Sequence, residues 1–210
     1  MLFSDSFKTL TKPAEGEFKD RGSRFIALLF PVKTEDEARE HIKKIKNEHH
    51  AAAHHCWALV LGSDQSFQKS SDDREPAGTA GKPILRVLLS LGVTNVLAVV
   101  VRYFGGKLLG VPGLIHAYGE AVKEALNSAN IVEMTLYDVY FVPCSYQNQH
   151  ELIRILKLFL VKFQPSTKDN EPGIIFEVKP SQINQLEKQI LAHAFAGMKW
   201  VQQISSKTIK

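Results

Sequence analysis

Cysteine is scarce in this chain of 210 residues, which holds only Cys56 and Cys144. Two thiols supply no disulfide framework and no Cys-x-x-Cys metal pair, and they suit a reducing compartment. Long apolar runs are also missing. Met1 to Asp20 mixes Phe, Lys, Asp, Pro and Glu without the apolar centre of a secretory signal, and no stretch is long enough to span a bilayer. A cytoplasmic protein with no membrane partner is the expectation. Neither sign of charge dominates: 26 Lys and Arg stand against 22 Asp and Glu, for a net charge of +4 and a pI near 9.0. That balance lacks the dense basic footprint of a dedicated nucleic-acid binder, while permitting RNA or the ribosome as a partner. No Gly-x-Ser-x-Gly elbow, His-Glu-x-x-His helix or dinucleotide fingerprint occurs.

What is present is the composition of an ordinary globular protein, 44% hydrophobic and 23% charged, long enough for one large domain or two small ones. The stretch from Ser70 to Tyr118 organises the rest. Two Gly-rich turns lie there, Glu75-Pro-Ala-Gly-Thr-Ala-Gly-Lys-Pro83 and Arg102-Tyr-Phe-Gly-Gly-Lys-Leu-Leu-Gly110. After the first, Ile84 to Leu91 is apolar on more than one face and predicts a short buried helix capped by Gly92 in the left-handed region. Val96 to Val101 is unbroken, apolar and rich in β-branched residues, the pattern of a central strand covered on both faces. A second helix is predicted from about Val111 to Asn127, with Leu114, Tyr118, Val122 and Leu126 on one stripe.

Upstream, Met1 to Gly22 reads as an extended arm with a strand near Lys8 to Thr11, followed by a strand from Arg24 to Phe30. Thr34-Glu-Asp-Glu37 is a capping box for a helix that buries Ala38, Ile42 and Ile45. Ala53 to Leu61 alternates, placing His54, Cys56, Ala58 and Val60 on one face and His55, Trp57, Leu59 and Leu61 on the other. Gly62 to Ser71 reads as a mobile polar loop. The pattern changes at about Glu133, which predicts domains at 1–132 and 133–210. The second half reads as a strand at Leu136–Val142, a helix at Gln147–Leu160 and a hairpin over Lys162–Thr167 and Gly173–Val178. A helix capped by Ser181 and ended by Gly197 follows, then a strand at Lys199–Ile204. That order, βαββαβ, is the ferredoxin-like split unit.

Two readings of the acidic cluster stand open. Asp72, Asp73 and Glu75 can hold a divalent cation while Lys82 and Arg102 take a phosphate, with Thr79 and unpartnered N–H groups near Gly81 forming an anion nest at a helix start. Alternatively, Asp72 and Asp73 pair with Arg102 or Lys107 and lock the two turns together. Arg102-Tyr103-Phe104 places a cation beside two aromatics, a pattern that can stack a base; alternation across a strand assigns one of the two rings to the core. Gly105 and Gly106 permit a tight turn. His49, His50, His54, His55 and Cys56 invite a zinc reading, but adjacent strand residues diverge, so no metal and no Cys/His dyad is predicted.

The blocks Asp72-Asp-Arg-Glu-Pro-Ala-Gly-Thr-Ala-Gly-Lys-Pro83 and Val99-Val-Val-Arg-Tyr-Phe-Gly-Gly-Lys-Leu-Leu-Gly110, with Ser23-Arg-Phe-Ile-Ala27 and His54-His-Cys-Trp-Ala58, resemble the YigZ/IMPACT family over about residues 20 to 130. Two positions depart from its pattern. Arg74 stands where members commonly carry Gly, and Val111-Pro112 replaces a more usual Thr-Gly. The resemblance implies an α+β protein of two domains. The first is a ribosomal-protein-like α/β sandwich, and the second, of the UPF0029 type, is ferredoxin-like and similar to an elongation factor G C-terminal domain. It also implies a non-catalytic binding protein in translation or stress control, since eukaryotic IMPACT restrains a starvation-responsive kinase of translation initiation; the extra N-terminal domain of IMPACT has no room here. The expected ligand-binding residues are Asp72, Asp73, Glu75, Thr79, Gly81, Lys82, Arg102, Tyr103, Gly105, Gly106 and Lys107, with no cofactor and no catalytic residue. The expected partner is RNA, the ribosome or a translation-related protein. The alternative is an enzyme acting on a phosphorylated small molecule or nucleotide through Asp72, Asp73, Glu75 and Lys82.

Overall fold

A computed structural model describes residues 5–168, 170–192 and, for the backbone, 201–209. The chain divides into two compact units, Phe7–Glu133 and a second comprising residues 134 onward together with Asp5 and Ser6. Through the first unit run β1 (Ser6–Leu10), β2 (Ala14–Asp20), β3 (Ser23–Pro31), α1 (Glu35–Glu48), β4 (His54–Leu61), β5 (Phe67–Ser71), α2 (Gly81–Ser90), β6 (Val96–Tyr103) and α3 (Gly110–Asn127). Its sheet has the order β2-β3-β6-β4-β5 and is antiparallel throughout.

β6 lies at the centre, and its unbroken apolar sequence follows from burial on both faces. Val96, Ala98 and Val100 join a core with Ile84, Leu88, Tyr118 and Val122 of α2 and α3. Leu97, Val99 and Val101 face a second core with Ala38 and Ile45 of α1. Each such side chain contributes about 1.5–3 kcal/mol relative to an exposed one, so a one-residue slip in register would be severely penalised. The same alternation sends Cys56, Ala58 and Val60 of β4 to the first core and Leu59 and Leu61 to the second.

The helix ends follow local chemistry. The Glu37 N–H donates to Thr34 Oγ1 at 3.2 Å, while the Glu37 carboxylate accepts from the Lys33 N–H, one residue before the cap. Gly92, at φ +67°, closes α2: its N–H donates to the Leu89 carbonyl and the Val93 N–H to the Leu88 carbonyl, the paired bonds of a Schellman ending.

Two edge strands differ from the sequence reading. Phe67–Ser71, expected as a mobile loop, is β5 and pairs with β4 from Leu61↔Phe67 to Trp57↔Ser71. The arm likewise contains β2, paired with β3. These strands carry few apolar residues, Ala14 and Phe18 of β2 and Phe67 of β5 packing against the cores, and charge along an edge blocks further pairing. β2 also passes close under α3: a Cβ on Gly16 would lie 2.1 Å from the Ala125 nitrogen.

The second unit comprises β7 (Ile131–Pro143, from Met134 on), α4 (Tyr146–Leu158), β8 (Lys162–Lys168), β9 (Glu171–Val178), a 3-10 turn at Pro180–Gln182, α5 (Ile183–Ala192) and β10 (Val201–Ile209). The βαββαβ order is present, and its antiparallel strands lie side by side as β10-β7-β9-β8. Val142, Leu152, Leu156, Ile174, Phe176 and Leu186 fill its core. Ser181 is not a helix cap; its N–H donates to the Asp5 carboxylate at 2.9 Å and its hydroxyl bonds the other oxygen. The expected stop at Gly197 and strand start at Lys199 lie outside the described residues. No helix among the described residues is long and apolar enough to cross a membrane.

Candidate ligand-binding cleft

The acidic turn between β5 and α2 resolves into three separate couplings. Asp72 caps α2: one carboxylate oxygen accepts from the N–H groups of Ala80 (3.0 Å) and Gly81 (2.7 Å), the other from that of Gly78 (2.8 Å). Burial opposes ionisation of Asp72, but these three donors and the charge of Lys82 outweigh it, and its pKa lies below the usual carboxylate value. The N–H groups expected to be free near Gly81 are therefore occupied by the chain's own carboxylate. Thr79 is buried, and its hydroxyl donates to the Pro76 carbonyl at 2.7 Å.

Asp73 turns to β4. Its carboxylate accepts from the His55 N–H at 2.7 Å and pairs with Lys46 at 3.4 Å; these contacts overcome burial and hold its pKa low. Asp73 and Arg74 both have left-handed backbones, with φ of +38° and +71°. Arg74 thus occupies a conformation that glycine adopts at less strain.

Glu75 takes the partner the sequence reading gave to Asp72 and Asp73. Its Oε1 accepts from Arg102 Nη1 at 2.5 Å and from the Tyr118 hydroxyl at 2.8 Å. Both charged residues are buried, Glu75 at 8% exposure and Arg102 at 5%, so each depends on the other for solvation. The Cys56 thiol lies 3.3 Å from the Tyr118 hydroxyl and 3.0 Å from the Asp72 carbonyl. Burial pushes that thiol up to about 12 and also raises the Tyr118 hydroxyl, far from nucleophilic ranges.

The sheet register sets Arg102 between Phe25 of β3 and His54 of β4. The guanidinium carbon lies 5.4 Å from the Phe25 ring centre and 5.5 Å from that of Phe104, within cation–π range of both. Above this row opens a cleft of about 470 Å³ between the Glu75-Pro76 turn and the loop from Phe104 to Val111. Pro76, Leu109 and Leu114 form apolar walls, and His54, Glu75 and Arg102 line it too. At the lip, Phe104 is 51% exposed, Leu108 82% and Val111 53%.

Of the expected site residues, only Glu75 and Arg102 line this cleft. Tyr103 packs on the α1 face of the sheet and hydrogen-bonds His49 at 2.9 Å, so Phe104 is the ring available to a ligand. Gly105 allows backbone contact with Gly22, where an added Cβ would come within 1.9 Å, and Gly106 turns at φ +83°. Lys82 lies on a shallow surface of α2 with Leu85, Arg86 and Leu89. Lys107 is exposed on the loop beside Leu108. His54 and His55 diverge, His55 Nε2 reaching the His49 carbonyl at 3.1 Å. Among the described residues no group of three His, Cys, Asp or Glu is arranged to hold a metal.

This turn-and-loop geometry belongs to a sequence that matches the model of the Impact N-terminal domain over residues 21–126, half of the chain. The chain belongs to the IMPACT family. It is 45% identical over 141 residues to the IMPACT family member YvyE of Bacillus subtilis, covering 67% of this chain and 65% of that protein. To YigZ of Escherichia coli K12 it is 43% identical over 135 residues, covering 63% of this chain and 65% of that protein. The matches thus span just under two thirds of those relatives' own lengths. A crystal structure titled as that of a hypothetical protein aligns with 95% of this IMPACT family chain and 98% of its own, at 30% identity and a TM-score of 0.66.

Among the residues of this site that sequence reasoning left without a role in it are His54, Tyr118 and Leu108. Tyr118 was legible only as a member of a helix stripe, because its hydroxyl partner lies 43 positions away. Leu108 did carry a signal: two leucines inside a Gly-rich loop are unusual where turns are otherwise polar.

Proposed function

We propose that this IMPACT family member is a non-catalytic binding protein, cytoplasmic, acting in translation or stress control. It docks on RNA, the ribosome or a translation-related protein through the cleft of the first unit. One observation carries the reading: the loop from Phe104 to Val111 leaves three large apolar side chains exposed beside a cleft. Single exposed apolar residues are ordinary, whereas a contiguous set around a concavity marks a contact surface. Family membership supports a role in translation, by the resemblance to eukaryotic IMPACT.

An enzyme acting on a phosphorylated small molecule or nucleotide through Asp72, Asp73, Glu75 and Lys82 is less well supported, since Glu75 is paired with Arg102 and Lys82 lies on another surface. The Asp72 and Asp73 carboxylates already hold backbone N–H groups that fix α2 and β4, and releasing them for chemistry would strand those donors. Co-sedimentation with purified ribosomes across a salt series tests the binding reading. Phe104→Ala with Lys107→Ala should weaken retention at least ~10-fold and flatten its salt dependence, because fewer counterions are released. Unchanged retention and slope would move the contact surface elsewhere.

A further inference from the structure

The cleft is lined by three polar residues, His54, Glu75 and Arg102. Arg102 Nε is buried and has no hydrogen-bond partner among the described residues, and the guanidinium lies between the Phe25 and Phe104 rings. Beside it, His54 Nδ1 lies 2.8 Å from the Asp73 carbonyl. A carbonyl only accepts, so Nδ1 carries a proton, and Nε2 lies 3.8 Å from Glu75 Oε1. The floor therefore sets an imidazole nitrogen beside the Glu75–Arg102 ion pair. Glu75 neutralises Arg102, so a bare anion there would meet a carboxylate at once.

The walls and mouth narrow the ligand further. Phe104 offers a half-exposed ring above the guanidinium, and Leu109 and Leu114 close the sides. Two cations flank the opening: Arg21 Nη1 donates to the Leu108 carbonyl at 3.4 Å, and Arg74 Nη2 to the Ala53 carbonyl at 3.3 Å. Both of those carbonyls belong to residues lining the cleft. Lys107 adds a third cation next to Leu108. A volume of about 470 Å³ is within the range of small-ligand sites.

We propose that this cleft binds a nucleotide. A planar base lies between the apolar walls against Phe104, its edge hydrogen-bonding His54 Nε2, while its phosphate meets Arg21, Arg74 and Lys107 at the mouth. Aromatic stacking with cations along the phosphate is the general recipe for unstacked nucleotides. The same chemistry fits a free nucleotide or one nucleotide splayed from an RNA strand. The inference deepens the binding function above and rests on the cleft being a contact surface.

Calorimetric titration of the full chain tests it, using the four ribonucleoside 5′-monophosphates, their nucleosides, inorganic phosphate and single-stranded ribo-oligonucleotides. The expected result is saturable binding of at least one mononucleotide, weakened at least ~10-fold by Phe104→Ala. Lys107→Ala should reduce the salt dependence for the mononucleotide and leave the nucleoside unaffected. Both substitutions are at exposed positions, and melting curves confirm that the variants are folded. Tighter binding of an oligonucleotide assigns the site to RNA, and equal affinity assigns it to the free nucleotide. No saturable binding of any nucleotide or oligonucleotide, or an affinity indifferent to Phe104→Ala, overturns the inference. If ribosome retention still depends on Phe104 and Leu108 in that case, the docking function stands with a protein contact. If retention is also indifferent, both readings fall.

Discussion

Between Asp72 and Gly81 the polar side chains other than Arg74 turn to partners inside the protein. Asp72 holds three N–H groups, Thr79 bonds the Pro76 carbonyl, and Glu75 is buried against Arg102 and Tyr118. Between Phe104 and Val111 the loop does the reverse, setting Phe104, Leu108 and Val111 into solvent. Both loops are glycine-rich and both precede a helix, so composition alone makes them alike. The difference is whether each side chain has a partner inside the protein. A loop whose acids are held by partners inside the protein is structure; a loop that leaves apolar surface without a partner is set up for a contact.

The largest effect that should sharpen this contrast is at Arg102. Arg102→Ala leaves Glu75 buried without its counter-ion, and denaturant unfolding should show a loss of about 3–5 kcal/mol. A loss below about 1 kcal/mol would mean that the pair is not a structural element of the first loop.

Asp72→Ala comes next. It removes a helix cap and strands at least one buried donor, for an expected loss of about 2–4 kcal/mol. Its pH dependence has a definite sign. The folded-state pKa of Asp72 is depressed, so its contribution is fully present above the unfolded value of about 3.9 and is lost as pH falls through the folded value. The stability gap between wild type and variant should be constant near neutrality and narrow below about pH 4. A gap that widens on acidification would contradict the capping role.

The smallest effect concerns Arg74. Its φ of +71° suits glycine, and Arg74→Gly should raise stability by about 0.5–1 kcal/mol through relief of strain, less whatever the bond to the Ala53 carbonyl supplies. A clear loss of stability would show that this bond outweighs the strain.

How much of this was legible beforehand follows from the range of each interaction. Alternation along Ala53–Leu61 and the unbroken Val96–Val101 run assign faces because their period is local, and the capping signals at Thr34 and Gly92 are local as well. β2 and β5 escaped because so few apolar residues, Ala14, Phe18 and Phe67, mark the faces they bury. The site was half legible. Glu75 and Arg102 stood among the candidates, but the choice of which acid pairs with Arg102 is made by tertiary packing across 27 positions. Tyr103 was preferred over Phe104, since the sequence shows that two adjacent strand residues diverge without showing which one faces the cleft.

The contrast between the loops is tested most directly by one pair of readings on one variant, Phe104→Ala with Leu108→Ala in the full chain. The account predicts unfolding free energy within about 1 kcal/mol of wild type, as for exposed positions, together with ribosome retention reduced at least ~10-fold. A variant destabilised by several kcal/mol yet retained on ribosomes like wild type would contradict it, making the second loop structural and placing the contact surface elsewhere.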